Sequence, residues 1–121
     1  MELTLKDRVL IRNTVLPQFD TRKNMELKVS IDSKIAISEV DQKRIVIKDM
    51  GSGQINIGFT DAASITDTVE ISLTDEELAY LKSRVEFIDR NGMFSEFTMP
   101  TYVKILDTPY ISSDFENMNN L

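Results

Sequence analysis

The stretch from Leu73 to Gly92 constrains this chain more than any other, because both ends of one amphipathic helix are written into it. Thr74 stands at an N-cap and Glu77 three residues later completes a capping box, each side chain satisfying a backbone amide that the helix leaves unpaired. Leu73 and Leu78 have the spacing of a hydrophobic staple. Asp75, Glu76 and Glu77 put negative charge at the positive end of the helix dipole. Leu78, Leu81, Val85 and Ile88 form a stripe at helical spacing, with Glu76, Lys82, Arg84 and Arg90 off it. Asn91-Gly92 supplies a left-handed stop. A helix over 75–90 with one apolar face requires something to cover that face.

The residues before it offer strands. From Arg44 the apolar period changes to two: Arg44-Ile45-Val46-Ile47-Lys48 and Gln54-Ile55-Asn56-Ile57-Gly58-Phe59 flank Asp49-Met50-Gly51-Ser52-Gly53, which has hairpin-turn chemistry. The polar run 60–67 reads as a surface loop, and Thr68-Val69-Glu70-Ile71-Ser72 as a third strand. Three strands with one apolar face need a cover, and the 75–90 helix is the natural one.

Residues 4–14 read as a helix. Thr4 caps it with Asp7 at the capping-box position, and the apolar face comprises Leu5, Val9, Leu10 and Ile11, with Val15 beyond. Leu16-Pro17 closes it. The segment 22–35 is evenly balanced. Met25, Leu27, Val29 and Ile31 alternate like a strand, whereas Leu27, Ile31 and Ile35 recur at helical spacing behind Asp20 or Thr21 as a cap. Ser38 followed by Asp41 starts a short helical turn. Past Gly92, residues 93–97 are apolar enough to tuck against the core. A last helix then begins at Thr98 or Met99, with Pro100 in its first turn. Met99, Tyr102, Val103 and Leu106 are its predicted stripe. The expected architecture is α+β, a small three-stranded antiparallel sheet packed against about four helices. One domain spans 1–107, and a polar, acidic tail spans 108–121.

Composition narrows the chemistry. The 121 residues contain neither histidine nor cysteine, so the usual neutral-pH base, the commonest transition-metal ligand and any thiolate site are missing. Catalysis would rest on carboxylates or lysines in a pocket that shifts their pKa, and a non-enzyme is the expectation. No metal or cofactor is called for. Glu2, Lys6, Asp7 and Arg8 stand where a signal peptide would have its apolar core, and no apolar run approaches a membrane span. A soluble intracellular chain is therefore expected. Residues 1–60 carry 10 basic against 8 acidic side chains, and residues 61–121 carry 4 against 12. The acidic half makes nucleic acid the weakest candidate partner.

Several features invite a site reading and have a simpler one. Gly51-Ser52-Gly53 lacks the lysine and the following helix of a phosphate loop. Asp61, Asp67 and Asp75 fit no calcium-loop spacing. Glu76 and Glu77 point in different directions on a helix, and capping already accounts for them. Tyr80 and Phe87, on the flank of the main stripe, either widen the core face or form an exposed aromatic patch. In the tail, Tyr110, Ile111 and Phe115 are spaced like the anchors of a docking peptide. These five are the candidate partner-binding residues, for a foreign protein or for self-association.

Leu3-Thr4-Leu5 with Arg8, Leu10 and Leu16-Pro17, then Lys34-Ile35-Ala36-Ile37-Ser38-Glu39, Gln54-Ile55, Val69-Glu70-Ile71 and two final helices occur here in an order that resembles a group of short tailed-phage and prophage proteins of unknown activity. The resemblance spans roughly residues 3–107. It implies a helix over 22–35 and a setting in a host cytoplasm or a virion, and it carries no catalytic residue. The expected function is a non-enzymatic interaction module, accessory or host-modulating. The alternatives are a virion subunit latched by its tail and a carboxylate-based enzyme.

Overall fold

In the computed structural model, residues 1–51, 53 and 55–112 are described. Their order is β1 (Glu2–Thr4), α1 (Leu5–Leu10), a π-helical continuation (Ile11–Val15), α2 (Arg22–Lys34), α3 (Glu39–Gln42), β2 (Ile45–Asp49), β3 (Ile55–Phe59), α4 (Ala63–Thr66), β4 (Thr68–Glu70), α5 (Asp75–Arg90) and α6 (Met99–Asp107). The fold is α+β, as expected.

Every predicted helix forms, with caps close to those read from the chain. The Thr74 hydroxyl accepts the Glu77 amide at 3.2 Å while the Glu77 carboxylate accepts the Thr74 amide at 2.8 Å. At the other end Gly92 is left-handed at φ 66°. The Gly92 amide donates to Asp89 and the Met93 amide to Ile88, the paired bonds of a Schellman stop. Thr4 and Asp7 form the same reciprocal box at α1. That helix then widens: the Leu16 amide reaches back five residues to the Ile11 carbonyl at 2.9 Å. Side chains take up carbonyls in the turns around it, Asn13 Nδ2 from Val9 and Thr14 Oγ1 from Leu10.

The evenly balanced segment 22–35 is helical. Ser30 Oγ and Lys34 Nζ both donate to the Glu77 carboxylate, at 2.5 and 2.6 Å. Residues four apart share a helix face, whereas in a strand they would stand roughly 13 Å apart. The same turn spacing buries Ile31 and Ile35.

The expected three-stranded sheet is instead two separate two-stranded antiparallel ladders. β2 and β3 pair as the predicted hairpin, Ile45 opposite Phe59 and Ile47 opposite Ile57. β4 pairs with β1, Leu3 opposite Val69, a strand not anticipated because three residues carry too little alternation. The divergence comes at Asp61. Its carboxylate accepts both the amide and the hydroxyl of Ser64, which starts α4 within the stretch expected to be loop and turns the chain away from the hairpin before Thr68. At the β1–β4 register Glu2 faces Glu70, a like-charge pair. The Met1 ammonium offsets it with a 2.9 Å bond to Glu70.

α5 therefore covers helices rather than a sheet. Its stripe of Leu78, Leu81, Val85 and Ile88 is buried, and it packs on α2, α6 and the π turn. α6 presents only part of the predicted face: Tyr102 is buried and Leu106 packs against the core as expected. Thr101, Tyr102 and Ile105 are buried while Met99 and Val103 are exposed, because Asp7 draws in Thr101 and Lys104. Of residues 93–97 only Phe94 tucks in, its ring centroid 4.9 Å from that of Tyr102.

Candidate functional site

Two buried carboxylates serve as cross-links between helices. Asp7 accepts the Thr4 amide at 3.0 Å and the Thr101 hydroxyl at 2.5 Å, and it pairs with Lys104, tying α1 to α6. Burial pushes its pKa up, but the bonds from Lys104, Thr101 and Thr4 outweigh that and hold the carboxyl below its ordinary range. Glu77 repeats the arrangement between α5 and α2. Burial raises its pKa, and Lys34, Ser30 and the Thr74 amide carry it down. Asp61 is held low chiefly by Arg44, whose guanidinium also bonds Asp41 at 3.1 Å. Every described carboxylate whose pKa departs from the ordinary value goes down. Among the described residues, no group of three or more acidic side chains could hold a metal ion.

The five candidate partner-binding residues divide. Tyr80 is core at 6% exposure, so the aromatic-patch reading fails for it. Its hydroxyl donates to Asp20 at 2.8 Å. Burial, then the Asp20 bond and charge, raise the phenol pKa. Phe87, two turns further along α5, is 44% exposed. The Arg84 guanidinium lies 5.0 Å from the centre of its ring while Nε of the same side chain donates to the Val15 carbonyl.

Phe19 is a further exposed aromatic that the sequence did not single out. It is 83% exposed, directly precedes the Asp20 that receives the Tyr80 hydroxyl, and Arg84 lies close enough to lower the pKa of that Asp20. Arg84 thus links the exposed Phe87 to the turn that carries the exposed Phe19, over a base of Tyr80, Asp20 and Val15. In the sequence Phe19 sits alone in a turn after Pro17, with no period to connect it to α5.

The start of the tail lies elsewhere on α5. Lys82 Nζ sits 5.3 Å from the centre of the half-buried Tyr110 ring and bonds the last carbonyls of α6. The amides of Ile111 and Ser112 donate to the two oxygens of Asp75, at 2.7 and 3.0 Å. The Ile111 side chain is 82% exposed. Asp75 and Phe87 are twelve residues apart, about 18 Å along a helix, so the tail and the aromatic surface are separate. Phe115 lies outside the described residues.

The hairpin β2–β3 is a third feature, an arm that carries its apolar side chains on one face. Directly opposed residues share a face, so Ile45, Ile47, Ile57 and Phe59 lie together, with Val46, Lys48, Asn56 and Gly58 on the other side. Arg44 fixes the base of the arm through Asp41 and Asp61. Between the apolar face and the body lies a cleft of about 300 Å³ bordered by Val9, Ile37, Ile45, Ile47, Arg12 and Lys28, among others.

No helix among the described residues is long and apolar enough to cross a membrane. No protein-family model matches the chain, and no curated protein or solved structure matches it.

Proposed function

We propose that this protein is a non-enzymatic interaction module that docks a foreign protein through the Phe19–Arg84–Phe87 surface, as an accessory or host-modulating protein of a phage or related mobile element. The observation that carries the reading is an arginine bonded to the Val15 carbonyl and lying 5.0 Å from the ring centre of the exposed Phe87, with the exposed Phe19 next in sequence to Asp20, whose carboxylate feels the charge of that arginine. Aromatic residues and arginine are the side chains that dominate binding energy at protein interfaces, and a pre-ordered arginine loses little entropy on docking. The phage setting, in a host cytoplasm or a virion, is supported by the sequence resemblance alone. Against a carboxylate-based enzyme stands the downward direction of the shifted carboxylates: an acid catalyst near neutral pH needs a raised value.

The test is capture from host extract by the immobilised chain, compared with a Phe19→Ser/Phe87→Ser variant. Both positions are exposed, so the variant should unfold within about 0.5 kcal/mol of the wild type. A single protein held by the wild type and released by the variant supports the reading. Equal retention by both, or no retention, refutes it.

A second reading, a virion subunit latched through its tail, has an observation of its own. The backbone at Ile111 is clamped to Asp75 while its side chain points into solvent, as a presented anchor would. Light scattering on the full chain and on a chain ended after Asp107 separates the two readings. High-order assembly lost on truncation favours the latch.

A further inference from the structure

The β2–β3 arm is not self-sufficient. A two-stranded hairpin is marginal in water and needs a third strand or a packing surface over its apolar face. Here the face is covered incompletely: Ile45 and Ile57 are half-buried, whereas Ile47, two residues further out than Ile45 on the same face, is 60% exposed. Met50, beyond the end of β2, is also 60% exposed. The arm therefore carries an apolar face that the rest of the fold does not finish.

Charge identifies the cover. Asp49 lies on the apolar face at the outer end of β2 and takes part in no ion pair among the described residues; one of its oxygens accepts the Gly51 amide. Lys28 stands at the inner end, at the rim of the cleft, and is likewise outside every described ion pair, while its neighbour Arg12 is already bound to Asp32 at 2.8 Å. The unpaired anion is at the tip, four residues and roughly 13 Å along the strand from Ile45, and the unpaired cation borders the cleft that Ile45 and Ile47 line. A two-fold axis between two such arms laid face to face brings each tip over the base of the other, so both charges find partners at once.

We infer that this face binds a second copy of the chain by reciprocal exchange of arms. Ile47 and Ile57 of one arm pack against the same residues of the other. Met50 of each enters the cleft beside Val9 and Ile37, and Asp49 of each meets Lys28 of the opposite copy. Methionine suits that role because its unbranched side chain adapts to an irregular cleft. The interface is isologous and closes at two chains. It uses none of the residues assigned to foreign-protein docking, so either assignment stands or falls without the other.

The test is molar mass in solution against concentration for the full chain. The expected species at about 100 μM, where a micromolar contact is saturated, is twice the 13.8 kDa chain mass. Ile47→Ser should leave a monomer at that concentration. Asp49→Lys and Lys28→Asp should each weaken dimerisation by about tenfold or more, the size of a close interfacial charge pair. The Lys28→Asp/Asp49→Lys double variant, which restores opposite charges with the order reversed, should recover most of the loss. These positions are on the surface, so circular dichroism and thermal unfolding of the dilute variants should match the wild type. Three results overturn the inference: a wild-type chain that remains monomeric, an assembly larger than two, or a charge-swapped double variant no tighter than either single one.

Discussion

Asp7 offers the sharpest test of how the helices are held together. Replacing it with asparagine keeps its shape and removes its charge. Three donors converge on the carboxylate, the Thr4 amide, the Thr101 hydroxyl and Lys104, and its side chain is almost fully buried. A hydrogen bond to a charged group contributes about 1.5–3 kcal/mol. The Lys104 bond belongs at the low end, because about a third of that side chain remains in water. The asparagine amide also turns a donor toward a site built only of donors, which adds roughly 1 kcal/mol. Asp7→Asn should therefore cost about 2–3 kcal/mol in urea unfolding. At roughly 2.1 cal/mol/K of unfolding entropy per residue, this lowers Tm by about 8–12 °C. Lys104→Met should show at least about 1 kcal/mol of coupling to Asp7→Asn in a double-mutant cycle.

The pH dependence has a definite sign. The folded pKa of Asp7 is lowered, so its contribution is fully present above the ordinary carboxylate range and is lost as pH falls through the folded value. The stability gap between wild type and Asp7→Asn should be constant from neutrality to about pH 5 and close below it. A gap below about 0.5 kcal/mol at neutral pH, or one of unchanged size in strong acid, would refute the cross-link argument.

The remaining predictions are narrower. Gly92→Ala should cost about 1 kcal/mol in chemical unfolding. An added Cβ meets no atom within 4 Å there, so the whole cost is the left-handed backbone. Ile105→Ala should cost about 3 kcal/mol and Val103→Ala no more than about 0.5 kcal/mol, since the first is buried and the second exposed. The reverse order in thermal unfolding would restore the α6 face expected from the sequence. Tyr80→Phe should cost about 1 kcal/mol. It should also remove the phenol that resists ionisation in an alkaline titration of tyrosinate absorbance, because burial and Asp20 raise that pKa.

Elements whose signals are local were legible in the chain. α5 could be read from cap to stop, since Thr74, Glu77 and Gly92 act on backbone groups within a few residues. The hairpin was legible for the same reason, with alternation on both sides of a glycine turn. Helix 22–34 was not. Its residues satisfy both periods, and the decision came from Glu77, 43 residues beyond Lys34, reaching two side chains one turn apart. The candidate surface was half legible. Phe87 could be found from its place on the flank of the α5 stripe, but Phe19 is connected to it only through the adjacent Asp20, which bonds Tyr80 and feels the charge of Arg84. Tyr80 had the same pattern as Phe87, and nothing local distinguishes which of two flank aromatics a neighbouring element will bury.

The sequence by itself determined the caps of α1 and α5, the alternation of the hairpin strands and that the chain is α+β. These properties follow from backbone hydrogen bonding and side-chain period, and both act over a few residues. Tertiary structure alone decided that β4 pairs with β1, that α5 packs on helices, and that α6 turns its threonine and lysine inward. Each of those choices depends on a carboxylate: Asp61 redirects the chain, Glu77 binds α2 to α5, and Asp7 rotates α6. A carboxylate at a helix cap looks the same in sequence whether it ends in solvent or on a lysine from a distant helix. Only the folded chain brings the lysine to it.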